Sequence, residues 1–335
     1  MIFDNKSLKQ VEKSATLLLN EQSRNLEAQG KDIYKLGFGQ SPFSPPDFVI
    51  EELSANASQH YYAPVQGLLR LREAVAKFHP LADGLDISAD EVFIAPGSKI
   101  LIYSVMQCFD KASILIPAPA WVSYEPQAGL CNHDIYRIST EFKNRWRVTI
   151  EDLEQAISDI EDKNIPKLMI LNYPGNPEGI TYNQEELKQI AQFCRDNKIL
   201  VISDEIYGLL HHKGEHISLA KFYPEGTIIT TGLSKWCGAG GWRLGAAILP
   251  KNISPQFKET LLGVASETYS CDATPVQLAA IKAYQAKPEI WDYIKHQRRI
   301  LSAVGNESYN ILDQAGIDVH KPEGGFYLFL DFSPF

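Results

Sequence analysis

The sequence predicts an α/β protein built on a mostly parallel sheet whose strands are separated by helices. Two observations carry this. Short apolar runs of the kind buried on both faces alternate with helical patterns, the order that a parallel sheet imposes on a chain. The 335 residues, 44% hydrophobic and 22% charged, have an ordinary globular composition and suffice for one large domain or two.

The elements follow in order. Residues 7–29 place Leu8, Val11, Ala15, Leu18 and Leu19 at helical spacing. Residues 33–48 are rich in Gly and Pro and read as an irregular arm. Helical patterning returns over 67–78, with Leu68, Leu71, Val75 and Phe78 on or near one face. Strands are expected at 92–95, 113–116, 167–171, 199–203 and 227–230, and helices at 98–109, 150–162 and 183–196. Residues 243–249 add a further strand. Helices resume at 254–262 and 275–312, and 324–330 reads as a closing strand.

Charge and cysteine usage narrow the function. Lys and Arg number 32 against 41 Asp and Glu, a net charge of −9. That balance argues against a general nucleic-acid binder, which needs a basic face. No run reaches the roughly 18 apolar residues of a membrane span. Met1-Ile2-Phe3-Asp4-Asn5-Lys6 lacks the basic start and apolar run of a signal peptide. The five cysteines are odd in number and none forms a C-x-x-C pair, so reduced thiols in the cytoplasm are expected. No Cys/His cluster has metal-ligand spacing, and His211-His212 reads as a solvated loop.

In open α/β sheets ligands gather at the carboxyl ends of strands, so the residues after each strand deserve reading first. Pro96-Gly97-Ser98-Lys99 is a glycine turn into a helix N-terminus, suited to phosphate or simply a strand-to-helix turn. Asn172-Tyr173-Pro174-Gly175-Asn176-Pro177-Glu178-Gly179 is a rigid polar turn whose amides can fix an oxygen, or ordinary Asn/Pro turn chemistry. Asp204-Glu205-Ile206-Tyr207 offers a carboxylate and a phenol to one flat ring, or an N-cap. Gly232-Leu233-Ser234-Lys235 brings a lysine among small residues, where burial lowers its pKa, and Arg243 follows within reach of a phosphate. A solvated lysine and a Gly-rich hairpin are the plain alternative for that segment. Taken together the inventory matches pyridoxal phosphate: Lys for the aldehyde, Asp for the ring nitrogen, Tyr and Asn for the ring hydroxyl, Arg and N–H groups for phosphate.

With Asn172-x-Pro-x-Asn176-Pro177-x-Gly179, Asp204-x-x-Tyr207 and Ser234-Lys235-(x)7-Arg243-x-Gly245 in this order, the sequence resembles the fold-type I, class I/II aminotransferases, the aspartate-aminotransferase-like pyridoxal phosphate enzymes. The resemblance runs from about residue 30 to the end. It implies a three-layer α/β/α fold with a smaller α+β domain, in a homodimer that transfers an amino group between an L-amino acid and a 2-oxo acid by a ping-pong Schiff-base mechanism. Lys235 would form the internal Schiff base and shuttle the proton, and Asp204 would keep the pyridine nitrogen protonated. Asn176 and Tyr207 would bond the ring hydroxyl. Arg243, Ser234 and the N–H groups of Ser98 and Lys99 would hold the phosphate, and Trp121 would stack on the ring. Tyr62 would reach the phosphate of a partner subunit, and Gly39 would lie near the substrate carboxylate. Asn176-Pro177 is expected to be cis. Lys99 stands where some acidic-substrate relatives bind a side-chain carboxylate, which leans substrate choice toward aspartate or glutamate, or it is a phosphate-side or solvated lysine.

The implied divisions are 1–44 for the arm and part of the small domain, 45–265 for the large cofactor-binding domain, and 266–335 for a small domain truncated at its C-terminus. Relatives continue past this point into a stretch that carries the arginine for the substrate α-carboxylate. Gly232 stands where many relatives have a phosphate-binding hydroxyl, and Glu178 where Thr is frequent. The remaining alternatives are a lyase or synthase on the same scaffold, or a truncated cofactor-binding protein with little turnover.

Overall fold

The computed structural model describes residues 14–37, 39–83 and 85–332. The expected helical positions Leu8 and Val11, the N-terminal hexapeptide and Phe335 lie outside the described residues. Helix α1 (Ala15–Ala28) precedes the arm, and α2 (Asp47–Ala55) and α3 (Leu69–Asp83) follow it. The central layers comprise β1 (Val92–Ala95), α4 (Ser98–Gln107), β2 (Ser113–Ala118), α5 (Tyr124–Leu130), β3 (Asp134–Ser139), α6 (Ile150–Asp159), β4 (Lys167–Asn172), α7 (Gln184–Asp196), β5 (Ile199–Asp204), β6 (Thr227–Gly232) and β7 (Gly245–Ile248). Helices α8 (Pro255–Thr268), α9 (Thr274–Ala283) and α10 (Pro288–Gln314) lead to a two-stranded ribbon, β8 (Asp318–Val319) and β9 (Leu330–Asp331).

The seven-stranded sheet has the order β1-β7-β6-β5-β4-β2-β3. Strands β2 to β6 run parallel to one another, and β7 runs antiparallel to both β6 and β1. All strands except β7 therefore end on one edge, and β7 starts there. Alternation along β4 shows why the sheet is covered twice: Leu168 and Ile170 pack with α4, α5 and α8, whereas Met169 and Leu171 pack with α6 and α7. A third apolar cluster joins α3, α9 and α10. In it Phe78 stacks on Trp291 at 5.0 Å and 3°, meets Tyr284 edge-on at 5.2 Å, and lies 5.4 Å from Trp236. Trp236 directly follows Lys235, so this aromatic cluster anchors the lysine's backbone to three helices.

Several boundaries differ from the sequence expectation. The expected helix 275–312 is two helices, because Pro288 opens α10 with Lys287 as its N-cap. Residues 254–262 extend to Thr268, and α2, α5 and β3 are additional. The expected closing strand over 324–330 is corrected: the strand there is confined to Leu330–Asp331, antiparallel to Asp318–Val319, and Gly324 makes an isolated antiparallel bridge to His211. Gly325 turns at φ +66°, the N–H groups of Glu323 and Gly324 go to Gly179 O, and that of Gly325 goes to Leu210 O. Loop acceptors thus take the donors that a ladder needs. His211-His212 is also corrected. His211 is buried, its Nδ1 accepts from Lys213 and Glu215 N–H groups, and burial pushes its pKa down to about 4. The five cysteines form no disulfide among the described residues, and no helix among them is long and apolar enough to cross a membrane.

Gly245 pairs with Ala95 at the functional edge, and a Cβ there would collide with the backbone of Gly97 and Ser98. Gly245→Ala should therefore lower stability by about 1–3 kcal/mol, read as a lower urea midpoint at unchanged slope.

Candidate active site

The edge is built by register. Asn172 pairs with Asp204 and Asp204 with Thr230, so three neighbouring strands deliver polar side chains side by side near their carboxyl ends. Asp204 is 2% exposed. Tyr124 Oη donates to its Oδ2 at 2.8 Å, and Thr230 Oγ1 and Ile206 N donate to Oδ1 at 3.3 Å. Burial pushes the Asp204 carboxyl up to about 6, opposed by these donors and by the Lys235 charge.

Lys235 follows β6 and is half-buried. Its Nζ donates to Gly39 O of the arm and lies 5.4 Å from the Tyr207 ring centre and 5.7 Å from that of Phe326. Burial draws its pKa down to about 8; Asp204 opposes the shift and Arg243 adds to it. The plain alternative of a solvated lysine does not hold.

The Asn-Pro turn is tied in from below. Asn172 Nδ2 donates to Asp204 O at 2.7 Å, and its Oδ1 accepts the Asn176 N–H at 2.8 Å. Asn172 is thus scaffold, while Asn176 turns its Nδ2 toward Tyr327 Oη at 3.3 Å. Tyr173-Pro174 and Asn176-Pro177 are both cis, the second as expected. Tyr207 is 2% exposed, with its Oη 2.7 Å from that of Tyr327.

At the other end Gly97 N-caps α4 at φ +95° without a capping side chain, leaving the first-turn amides of Ser98 and Lys99 for an anion. Arg243 sits at φ +57°. Its Nη1 donates to Gly240 O at 2.8 Å, and its Nη2 lies where a Cβ on Gly97 would collide with it. Ser234, which directly precedes Lys235, is half-buried. Lys99 Nζ stands 5.3 Å from the Trp121 ring centre, and burial and Arg243 draw its pKa down. Trp121 is half-buried, edge-on to Tyr124 at 5.3 Å, so it is not a core aromatic. Tyr62 is 90% exposed.

Three residues absent from the sequence reading join the site. Tyr124 and Thr230 hold Asp204; the Trp-Val-Ser-Tyr string held the first, and strand alternation the second. Tyr327 falls within the run 324–330 that reads as a strand, which hides it. The departures also acquire causes. A Cβ on Gly232 would stand 2.6 Å from Leu244 O, leaving no room there for a hydroxyl side chain without backbone movement. Glu178 folds back over Gly175, its Oε2 has no hydrogen-bond partner among the described residues, and burial pushes it up to about 8.

A buried carboxylate, an amine of lowered basicity, a phenol, an amide and an open amide turn with an arginine fit a flat ring bearing an aldehyde, a basic nitrogen, a hydroxyl and a phosphate. The chain matches a family model described as aminotransferase class I and II over residues 31–335. It is 34% identical to the aspartate aminotransferase of Geobacillus stearothermophilus over 325 residues, 94% of this chain and 80% of that protein. It is 30% identical to the asparagine–oxo-acid transaminase of Streptococcus mutans, covering 96% and 81%. Among solved structures, the aspartate aminotransferase from Thermus thermophilus with maleate superposes with a TM-score of 0.89 at 26% identity, covering 98% of this chain and 86% of that one.

Two substitutions test the electrostatics. Glu178 titrates near 4.5 when solvated and near 8 in the fold, so the folded state binds more protons across that window and its stability falls as pH rises through it. Glu178→Gln should flatten that decline, measured as urea midpoints from about pH 5 to pH 8. Tyr124→Phe removes a donor to a buried carboxylate and should cost about 1.5–3 kcal/mol above pH 6 and less below it.

Proposed function

We infer the residue roles from one premise: this chain belongs to the aminotransferase class I and II family. It is a pyridoxal-phosphate-dependent enzyme that moves an amino group between an amino acid and a 2-oxo acid. The bound cofactor supplies an aldehyde carbon for the substrate amine and a pyridine ring that draws electrons from the substrate α-carbon.

The chain's own groups do the rest. Lys235 Nζ is the amine that holds the aldehyde. With its pKa near 8, it takes up and gives back a proton at Nζ around neutral pH, which an ordinary lysine does poorly. Asp204 holds a proton on the ring nitrogen, because an anionic carboxylate in a dry setting stabilises a cation beside it. Asn176 and Tyr207 hold the ring hydroxyl. Arg243, Ser234 and the amides of Ser98 and Lys99 hold the phosphate, and Trp121 covers the ring. Gly39 leaves space beside the substrate carboxylate. The observation that supports this set best is the buried Asp204 carboxylate in electrostatic contact with an amine of lowered basicity.

Three finer readings go with it. Lys99, beside Trp121, favours aspartate or glutamate as donor; relatives bearing the name aspartate aminotransferase agree with that. A homodimer with shared sites accounts for Tyr34, Leu36, Tyr61 and Tyr62, large side chains that are at least 74% exposed near the arm. Tyr62 then serves the partner's phosphate. Free thiols fit the cytoplasm.

An absorbance scan of the purified holoenzyme against a panel of amino acids tests the reading. Aspartate and glutamate should replace the band of lysine-linked cofactor by that of its amine form. Lys235→Ala should lack the lysine-linked band; its persistence would overturn the assignment.

A further inference from the structure

Tyr327 lies in the segment between α10 and β9, far in sequence from every motif of the site, yet its hydroxyl reaches the centre. Tyr327 Oη is 2.7 Å from Tyr207 Oη and accepts from Asn176 Nδ2 at 3.3 Å. The two phenol rings meet edge-on at 5.5 Å and 86°. A Cβ on Gly39 would overlap Tyr327 Oη, so the arm can pass this hydroxyl only as glycine. The carbonyl of that same Gly39 takes the Lys235 Nζ hydrogen bond. Gly179, at φ +68°, packs against Tyr327 O, so the Asn-Pro turn holds the tyrosine's backbone as well. Tyr327 is therefore fixed at both its backbone and its tip.

Proton counting gives the contact a direction. An amide nitrogen only donates, so Tyr327 Oη accepts from Asn176 and keeps its own proton. Burial pushes both phenols upward, Tyr327 to about 12, so neither ionises near neutral pH. Between two neutral hydroxyls one proton lies in the short contact and the other is left over. If Tyr207 serves an oxygen of the cofactor, its proton goes there and Tyr327 must donate to Tyr207. We propose that Tyr327 is a positioning residue that donates to Tyr207 Oη, commits the Tyr207 proton to the cofactor's ring oxygen, and so sets the proton affinity of the lysine–cofactor link. The proposal rests on the reading of Tyr207 given above. A hydroxyl that accepts one hydrogen bond is a stronger donor of another. A stronger donor stabilises the ring oxygen most when the neighbouring imine nitrogen has lost its proton, which lowers the pH at which that loss occurs.

The test is a pH titration of the holoenzyme's absorbance without substrate, on wild type, Tyr327→Phe, Tyr207→Phe and the double variant, with thermal melts to confirm folding. Tyr327→Phe keeps the ring and its edge-on contacts and removes one hydroxyl. Its midpoint should move upward by about half a pH unit, Tyr207→Phe should move it further, and the double variant should match Tyr207→Phe. A shift for Tyr207→Phe with none for Tyr327→Phe overturns the proposal and leaves the Tyr207 reading standing. An additive double variant also overturns it, because Tyr327 would then act independently of Tyr207. No shift in either single variant overturns the Tyr207 reading and the proposal with it.

Discussion

An ammonium and a carboxylate are held at the rim of a parallel sheet where water has little access. That constraint governs the site. Burial works against both charges; Tyr124, Ile206 and Thr230 donors and the Lys235 charge oppose it at Asp204, and the Asp204 charge opposes it at Lys235. An amine poised in this way exchanges protons readily, and a carboxylate so placed answers a positive ring. The same low dielectric that makes the pair costly makes it effective.

The fold supplies this arrangement through backbone geometry more than through loops. Asp204 is the last residue of β5, and its neighbours Asn172 and Thr230 arrive by strand register. Asn172 binds the backbone of Asp204 with one end and the Asn176 turn with the other, so the ring-hydroxyl end and the ring-nitrogen end share one rigid base. Lys235 is held through Trp236, whose indole packs against Phe78 and Tyr284 and whose carbonyl accepts from the buried Gln297. The phosphate end depends on close backbone approach, with Gly245 under the Gly97-Ser98 turn and Gly97 against Arg243. Precision at each group therefore comes from a different layer of the structure.

Much of this was legible in the sequence, for physical reasons. Strands buried on both faces write continuous apolar runs, so β1, β2, β4, β5 and β6 and the residues at their ends stood out. The edge strand β3 did not, because Asp134–Ser139 alternates half-exposed positions and carries Asp and Arg. The break between α9 and α10 was hidden by apolar spacing that continues across Pro288. Over 324–330 the composition is that of a strand, but the two glycines there make a turn whose amides bond to loops, which no local pattern reveals. Tyr327 was lost for that reason. Tyr124 was lost for another: its role is a contact to Asp204 across 80 positions of sequence, and only folding brings the two together. His211 looked like surface because histidine pairs usually are, whereas its ring closes a turn by accepting two backbone amides.

The central claim is that one amine, Lys235 Nζ, carries the cofactor. Hydride reduction of the holoenzyme would make that link permanent, and peptide mapping by mass spectrometry would locate it. The added mass should fall on the peptide containing Lys235 at near-complete occupancy. Its appearance on Lys99 or another lysine, with Lys235 unmodified in a folded, cofactor-loaded protein, would contradict it.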